Sequence, residues 1–173
     1  GDGNGKNVMN PTTVVVMEKD SYMEMETAQI KGVDSTKRTT TAKLAAGATL
    51  VIREKIMTHG DQFAETDFTV DLDGEDCSAN VISRSVARDE SYQIFRSAIN
   101  GNNRCAGHSE CDGIIMDNAK ISAIPEITAN HLDAELIHEA AIGKIAGEQL
   151  IKLMTFYIKF EHKCDDIIKN TYS

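Results

Sequence analysis

The sequence contains no tryptophan, only two prolines and only four cysteines among 173 residues. It has no apolar run near the roughly 20 residues a membrane-spanning helix needs, which predicts a chain without a helical membrane span. Basic residues are in the minority, with Lys+Arg 18 against Asp+Glu 27 and a formal net charge of −9. Such a surface repels phosphate, which argues against a sequence-independent nucleic-acid binder. The opening stretch GDGNGKNVMNPTT lacks the basic and then apolar blocks of an export signal, so a cytoplasmic location is expected. Apart from one central pair, Cys77, Cys105, Cys111 and Cys164 lie far apart. That pattern suits reduced thiols better than a disulfide framework and leaves metal or sulfur chemistry open.

What is present is ordinary for a soluble globular chain, 41% hydrophobic and 26% charged, and one domain is the default at this length. Residues 1–13 are rich in Gly and Asn and are expected to be flexible. From Val14 to about Glu139 the dominant signal is alternation with period two, as in FAETDFTVDLDG, SANVISRSVA and SYQIFRSAI. Turn chemistry separates these runs at Ala46-Gly47, Asp73-Gly74 and Asn100-Gly101-Asn102-Asn103. A polar turn followed by small and aliphatic residues recurs at LAAGATLVI, LDGEDCSANVI, MDNAKISAI and ITANHLDAELI. Repetition of this kind indicates a β-solenoid or a sandwich, and the irregular spacing does not choose between them. Ala48, Leu50, Ile52, Ile121, Ala123 and Leu136 are the expected inward positions. After Glu139 the apolar residues Leu150, Leu153, Met154 and Ile158 take helical spacing, and a helix is predicted from about Gly147.

The chemistry concentrates in NNRCAGHSECDGIIMDNAKISAIPEI, residues 102–127. Cys105-x₂-His108-x₂-Cys111 has the ligand types of zinc and iron–sulfur centres. On a strand, however, Cys105 and Cys111 share one side while His108 points to the other. Core cysteines, a closed zinc site and an open functional thiol all remain possible readings. Glu110 and Asp112 flank Cys111 and should raise its pKa, which argues against a protease-like nucleophile but not against cation binding. His138, in AELIHEAAIGK, would share a strand face with Leu136 and Ala140, the position of a core histidine.

Beyond composition and spacing, several stretches resemble the SufB/SufD family, the scaffold proteins of the SUF iron–sulfur cluster assembly system. They are QIKGVDSTKR, IMTHGDQFAE, SRSVARDES, the 102–127 segment and LIHEAAIGKIAGEQLIKLM. The order SECD, a polar turn, PEI, HEA and GEQL carries the resemblance, which runs from about Tyr22 to Met154. It implies an all-β, right-handed parallel β-helix, a single-stranded solenoid, over 14–142, with a short C-terminal helical region over 143–173. It implies a scaffold, not an enzyme, working with the SufC ATPase and a sulfur donor protein, as a homodimer or a SufB/SufD-type heterodimer. The expected cofactor is a nascent, transient iron–sulfur cluster at the dimer interface, or none in the isolated protein. Carried over by motif, Cys111 is a sulfur acceptor and cluster ligand, and His138 and Glu139 are cluster-side ligands. Cys105 and His108 have no assigned family counterpart. The family's usual N-terminal half is absent from this sequence, and Tyr157 stands where the family carries a glycine, in a region that normally supports SufC docking. Two alternatives stand beside this reading: a non-metal interaction subunit of the same complex, and a zinc-binding protein using Cys105, His108 and Cys111.

Overall fold

A computed structural model describes residues 5–29 and 32–146. The alternating runs form strands β1 (Val8–Met9), β2 (Thr12–Met17), β3 (Tyr22–Gln29), β4 (Ser35–Leu44), β5 (Thr49–Thr58) and β6 (Phe63–Leu72). They continue as β7 (Cys77–Ala87), β8 (Tyr92–Gly101), β9 (Cys105–Ile115), β10 (Lys120–Ala129) and β11 (Ala134–Lys144). Strand structure thus starts at Val8, inside the segment expected to be flexible. Gly143 ends up within β11, and the helix expected from Gly147 lies outside the described residues. No helix among the described residues is long and apolar enough to cross a membrane.

From β2 onward each strand pairs in parallel with the strand two places along the chain, and β1 pairs with β4. One sheet runs β1-β4-β6-β8-β10, with β2 also on β4, and the other runs β11-β9-β7-β5-β3. Two strands make one coil, and stacked coils make a parallel β-helix, which decides between solenoid and sandwich. Tyr22 lies beside Thr49, Ser35 beside Phe63, Phe63 beside Tyr92 and Tyr92 beside Lys120, so one coil is 27 to 29 residues. β1 and β2 read as one strand on β4 interrupted at Asn10-Pro11, where Asn10 Oδ1 takes the backbone N–H of Lys37 at 3.0 Å. Proline has no N–H to give the ladder, which accounts for the break.

The interior is filled by every second residue of each strand. Ala48, Leu50 and Ile52 are completely buried, as expected from the sequence, and Ala123 and Leu136 pack against the same core. Leu44, Phe68, Val70, Leu72, Val81 and Ile99 belong to it, each worth about 1.5–3 kcal/mol of burial. Phe68 and Phe95 tilt against each other at 6.0 Å between centroids. Toward the other end of the strands the interior turns polar, with Thr36, Thr40, Glu54, Thr58, Thr66, Ser83, Gln93 and Ser97 all buried. These groups mostly pair among themselves; Gln93 Nε2, for example, donates to Thr58 Oγ1 at 2.8 Å and Val86 O at 2.9 Å.

The corners are as regular as the strands. Asp20, Asp76, Asp89 and Asp117 take positive φ between 55° and 59°, a conformation Asp tolerates better than most residues. Asp89 Oδ2 accepts the Gly60 N–H at 2.7 Å, and the Asp89 N–H is in turn accepted by Asp117 Oδ2 at 3.1 Å. Gly74 lets one corner rest on the previous one: a Cβ there would lie 2.0 Å from Ala46 N.

Candidate functional site

Strand β9 presents two different chemistries on its two faces. Inward go Cys105, Gly107, Ser109, Cys111 and Gly113; outward go His108, Glu110 and Asp112. The glycines make room inside the coil: a Cβ on Gly107 would meet Leu136 Cδ2 at 2.7 Å and Ile99 Cγ2 at 2.8 Å. Ser109 Oγ donates to Ser97 Oγ across the interior at 2.9 Å.

Cys111 is 1% exposed. By register it continues an inward row that runs Glu54, Ser83, Cys111, Ala140 across β5, β7, β9 and β11. Glu54 takes the Thr66 hydroxyl at 2.9 Å and the Ser83 hydroxyl at 3.2 Å. Burial raises the Glu54 carboxyl above its usual range, and those two hydroxyls and Arg38 offset part of the rise. The Cys111 thiol is pushed up to about 11, first by burial, then by the Asp112 and Glu54 charges. The direction matches the one read from the flanking acids, but desolvation is the larger cause and Glu110 is not one of the charges involved.

His138 also faces inward, two residues from Ala140 on the same side of β11 and beside Ser109. Cys111 and His138 are therefore diagonal neighbours on one inner face, roughly 8 Å apart at Cα from a strand spacing of ~4.8 Å and a rise of ~3.3 Å per residue. Both imidazole nitrogens are buried without a hydrogen-bond partner among the described residues. Burial and the nearby His108 lower the His138 pKa, with Glu139 opposing, which favours the neutral ring. An unpaired buried imidazole costs free energy, about 1–3 kcal/mol for each orphaned group.

Glu139 follows His138 in sequence and so points out of the coil. There it meets His108, whose Nε2 lies 3.1 Å from Glu139 Oε2, and it sits in register with Glu110. Ligand atoms of His108, Glu110 and Glu139 all lie within 4.8 Å of one another. Glu110 is held above the usual carboxylate range, first by a hydrogen bond with Asp112, then by burial and the Asp112 charge. The three residues expected to act together thus divide, Cys111 and His138 inside and Glu139 outside. Nor does the structure join Cys105, His108 and Cys111. Cys105 and Cys111 are buried inside and His108 is outside, because an offset of three changes face on a strand. Cys105 instead lies in register with Cys77; both are free thiols raised chiefly by burial.

Sequence reasoning passed over Glu54 and Asn80, and read Glu110 only as a charge flanking Cys111. Alternation alone places Glu110 on the His108 face, but its pairing with Glu139 follows only from the coil length.

A family model described as "SUF system FeS cluster assembly, SufBD core domain" matches residues 3–158. The chain belongs to the SufBD core family. Among its curated relatives, an iron–sulfur cluster assembly SufBD family protein of Methanothermobacter thermautotrophicus is 34% identical over 59% of this chain and 25% of its own length. One from Archaeoglobus fulgidus is 28% identical over 85% of this chain and 40% of its own length. Another, from Pyrococcus horikoshii, is 32% identical over 75% of this chain and 33% of its own. The SufBD chain described here therefore spans well under half the length of these relatives.

Proposed function

We propose that this SufBD chain is part of a scaffold on which an iron–sulfur cluster is assembled, with Cys111 as sulfur acceptor and cluster ligand. The carrying observation is the pair on one inner face, a buried neutral thiol and a half-buried imidazole whose two nitrogens are shielded and have no partner among the described residues. Thiolate and imidazole are the protein ligands that iron–sulfur centres use, and family membership supports reading the pair in that light. In this reading the Cys111 thiolate attacks the outer sulfur of a donor persulfide. A new S–S bond forms at Cys111, the donor's S–S bond breaks, and the donor thiolate leaves with its electron pair. The thiol must first lose its proton, which a pKa of about 11 makes unfavourable at neutral pH. Opening of the last coil, or a partner bringing positive charge, would lower that cost.

The partners in this proposal are a SufC-type ATPase, a sulfur donor protein and a second scaffold chain, identical or related. The last coil leaves Ile127, Leu132, Ile137 and Ile142 exposed, apolar surface that pairing would cover. The cluster is cargo, built and passed on, and the chain itself is proposed to be a scaffold without catalysis of its own.

Anaerobic reconstitution with ferrous iron and sulfide, followed by visible absorption, tests the reading. Wild type and Cys77→Ser should both develop the charge-transfer bands of a cluster, Cys111→Ser should not, and His138→Ala should give a reduced yield. Equal bands from a folded Cys111→Ser protein would remove Cys111 as the ligand, and no bands from wild type would leave the chain as a non-metal interaction subunit.

A further inference from the structure

We propose that His108, Glu110 and Glu139 form a binding site for a divalent first-row transition ion on the outer face of the β-helix, distinct from the inner thiol. The role of such an ion as iron delivered toward Cys111 rests on the scaffold reading; the binding itself does not.

Three features of the geometry support the site. Its ligand atoms lie within 4.8 Å of one another. Metal–ligand distances of about 2.0–2.2 Å put two ligands of one ion up to ~4.4 Å apart, so small side-chain rotations close the set. The second feature is the orientation of the imidazole. His108 Nδ1 lies 3.0 Å from Asn80 Oδ1, an oxygen that can only accept, so Nδ1 carries the proton. Nε2 therefore turns a lone pair toward Glu139 Oε2 at 3.1 Å, and only a proton or a cation between them reconciles two acceptors at that distance. A histidine fixed through its far nitrogen by a side-chain oxygen is the usual arrangement around protein-bound metals.

The third feature is the ladder itself. Glu139 stands in register beside Glu110 on adjacent strands. Like charges placed directly opposite destabilise a sheet, and a cation between them removes the repulsion. Arg84, the basic side chain that reaches Glu110, does not do so well. It reaches Glu110 at 3.7 Å and Asp112 at 3.8 Å from a position 66% exposed, and no ion pair joins it to Glu139. One imidazole and two carboxylates, with room for water, suit ferrous iron, manganese, cobalt or zinc rather than calcium or a soft monovalent ion.

Anaerobic titration with cobalt(II), with no sulfide present, tests the proposal by visible absorption and calorimetry. One saturable site should appear with weak d–d bands and without the near-ultraviolet charge-transfer band of a cobalt thiolate. Cys111→Ser should bind as wild type does. His108→Ala, Glu110→Gln and Glu139→Gln should each lose at least about ten-fold in affinity, and Asn80→Ala about ten-fold through loss of ring orientation. All these positions face outward, and thermal melts of each variant check the fold. A thiolate band, or binding lost in Cys111→Ser, would overturn the site, as would the absence of saturable binding by wild type. Intact cobalt binding with failed cluster reconstitution would instead sink the scaffold reading and leave this site standing.

Discussion

Replacing Cys111 by serine separates two effects that differ in their pH dependence. At neutral pH the thiol is uncharged in folded and unfolded chains alike, so the cost there comes from placing a hydroxyl in its position. A serine at 111 lies in register with Ser83, whose hydroxyl already donates to Glu54, so the new group has an acceptor within its row. The expected destabilisation is about 1 kcal/mol. Above neutrality the thiol itself titrates. Folding raises its pKa from 9.0 to about 11, so the folded state holds the proton more tightly. The stability from that preference is fully present below pH 9.0 and is lost as pH rises through about 11. Two units at 1.36 kcal/mol each give about 2.7 kcal/mol at most. Wild type should therefore begin about 1 kcal/mol ahead of Cys111→Ser, fall behind it between about pH 9.5 and 10, and trail by more than about 1 kcal/mol at pH 11. Urea unfolding followed by circular dichroism across this range measures the difference, since the chain has no tryptophan to report by fluorescence. Cys77 and Cys105 titrate in both proteins and cancel. Stability curves that stay parallel from neutral pH to pH 11 would refute the assignment of Cys111 to a desolvated interior.

Gly107→Ala should cost about 1–3 kcal/mol by overpacking, because the new methyl must displace Leu136 and Ile99, and urea unfolding would expose an unchanged or improved stability as a contradiction. Glu54→Gln should gain on wild type as pH rises from 4.5, since a raised carboxyl pKa gives stability that is present below 4.5 and lost through the folded value. A difference between the two proteins that does not change with pH would mean that Glu54 is solvated.

Particular residues show how far the sequence carries. The small-then-aliphatic run Ala48, Leu50, Ile52 reads directly as an inward face, because strand alternation is a local property of the chain. The same rule puts His108 opposite Cys105 and Cys111 before any coordinates are seen. Pairing is not local. The turn-plus-alternation repeats indicate stacking, yet a coil that varies from 27 to 29 residues is irregular enough to hide which strand meets which. Motif resemblance supplied the β-helix, and it also grouped Cys111, His138 and Glu139, which the backbone then divides between two faces. Desolvation as the main influence on Cys111 is equally invisible in sequence, where only the flanking acids show. Val8–Met9 was hidden for the opposite reason: a short strand next to Pro11 shows no alternation long enough to detect.

The two-faced strand also sets where this protein can change length. One residue inserted within β9 ahead of Cys111 would turn the thiol to the solvent while leaving the neighbouring coils in place. The same insertion at the corner after Gly101 could be absorbed as a larger loop, with both faces kept. Length variation among related chains should therefore gather at the corners and avoid the stretch from His108 to Cys111. A designer adding a tag, a loop or a reporter has the same boundaries to respect.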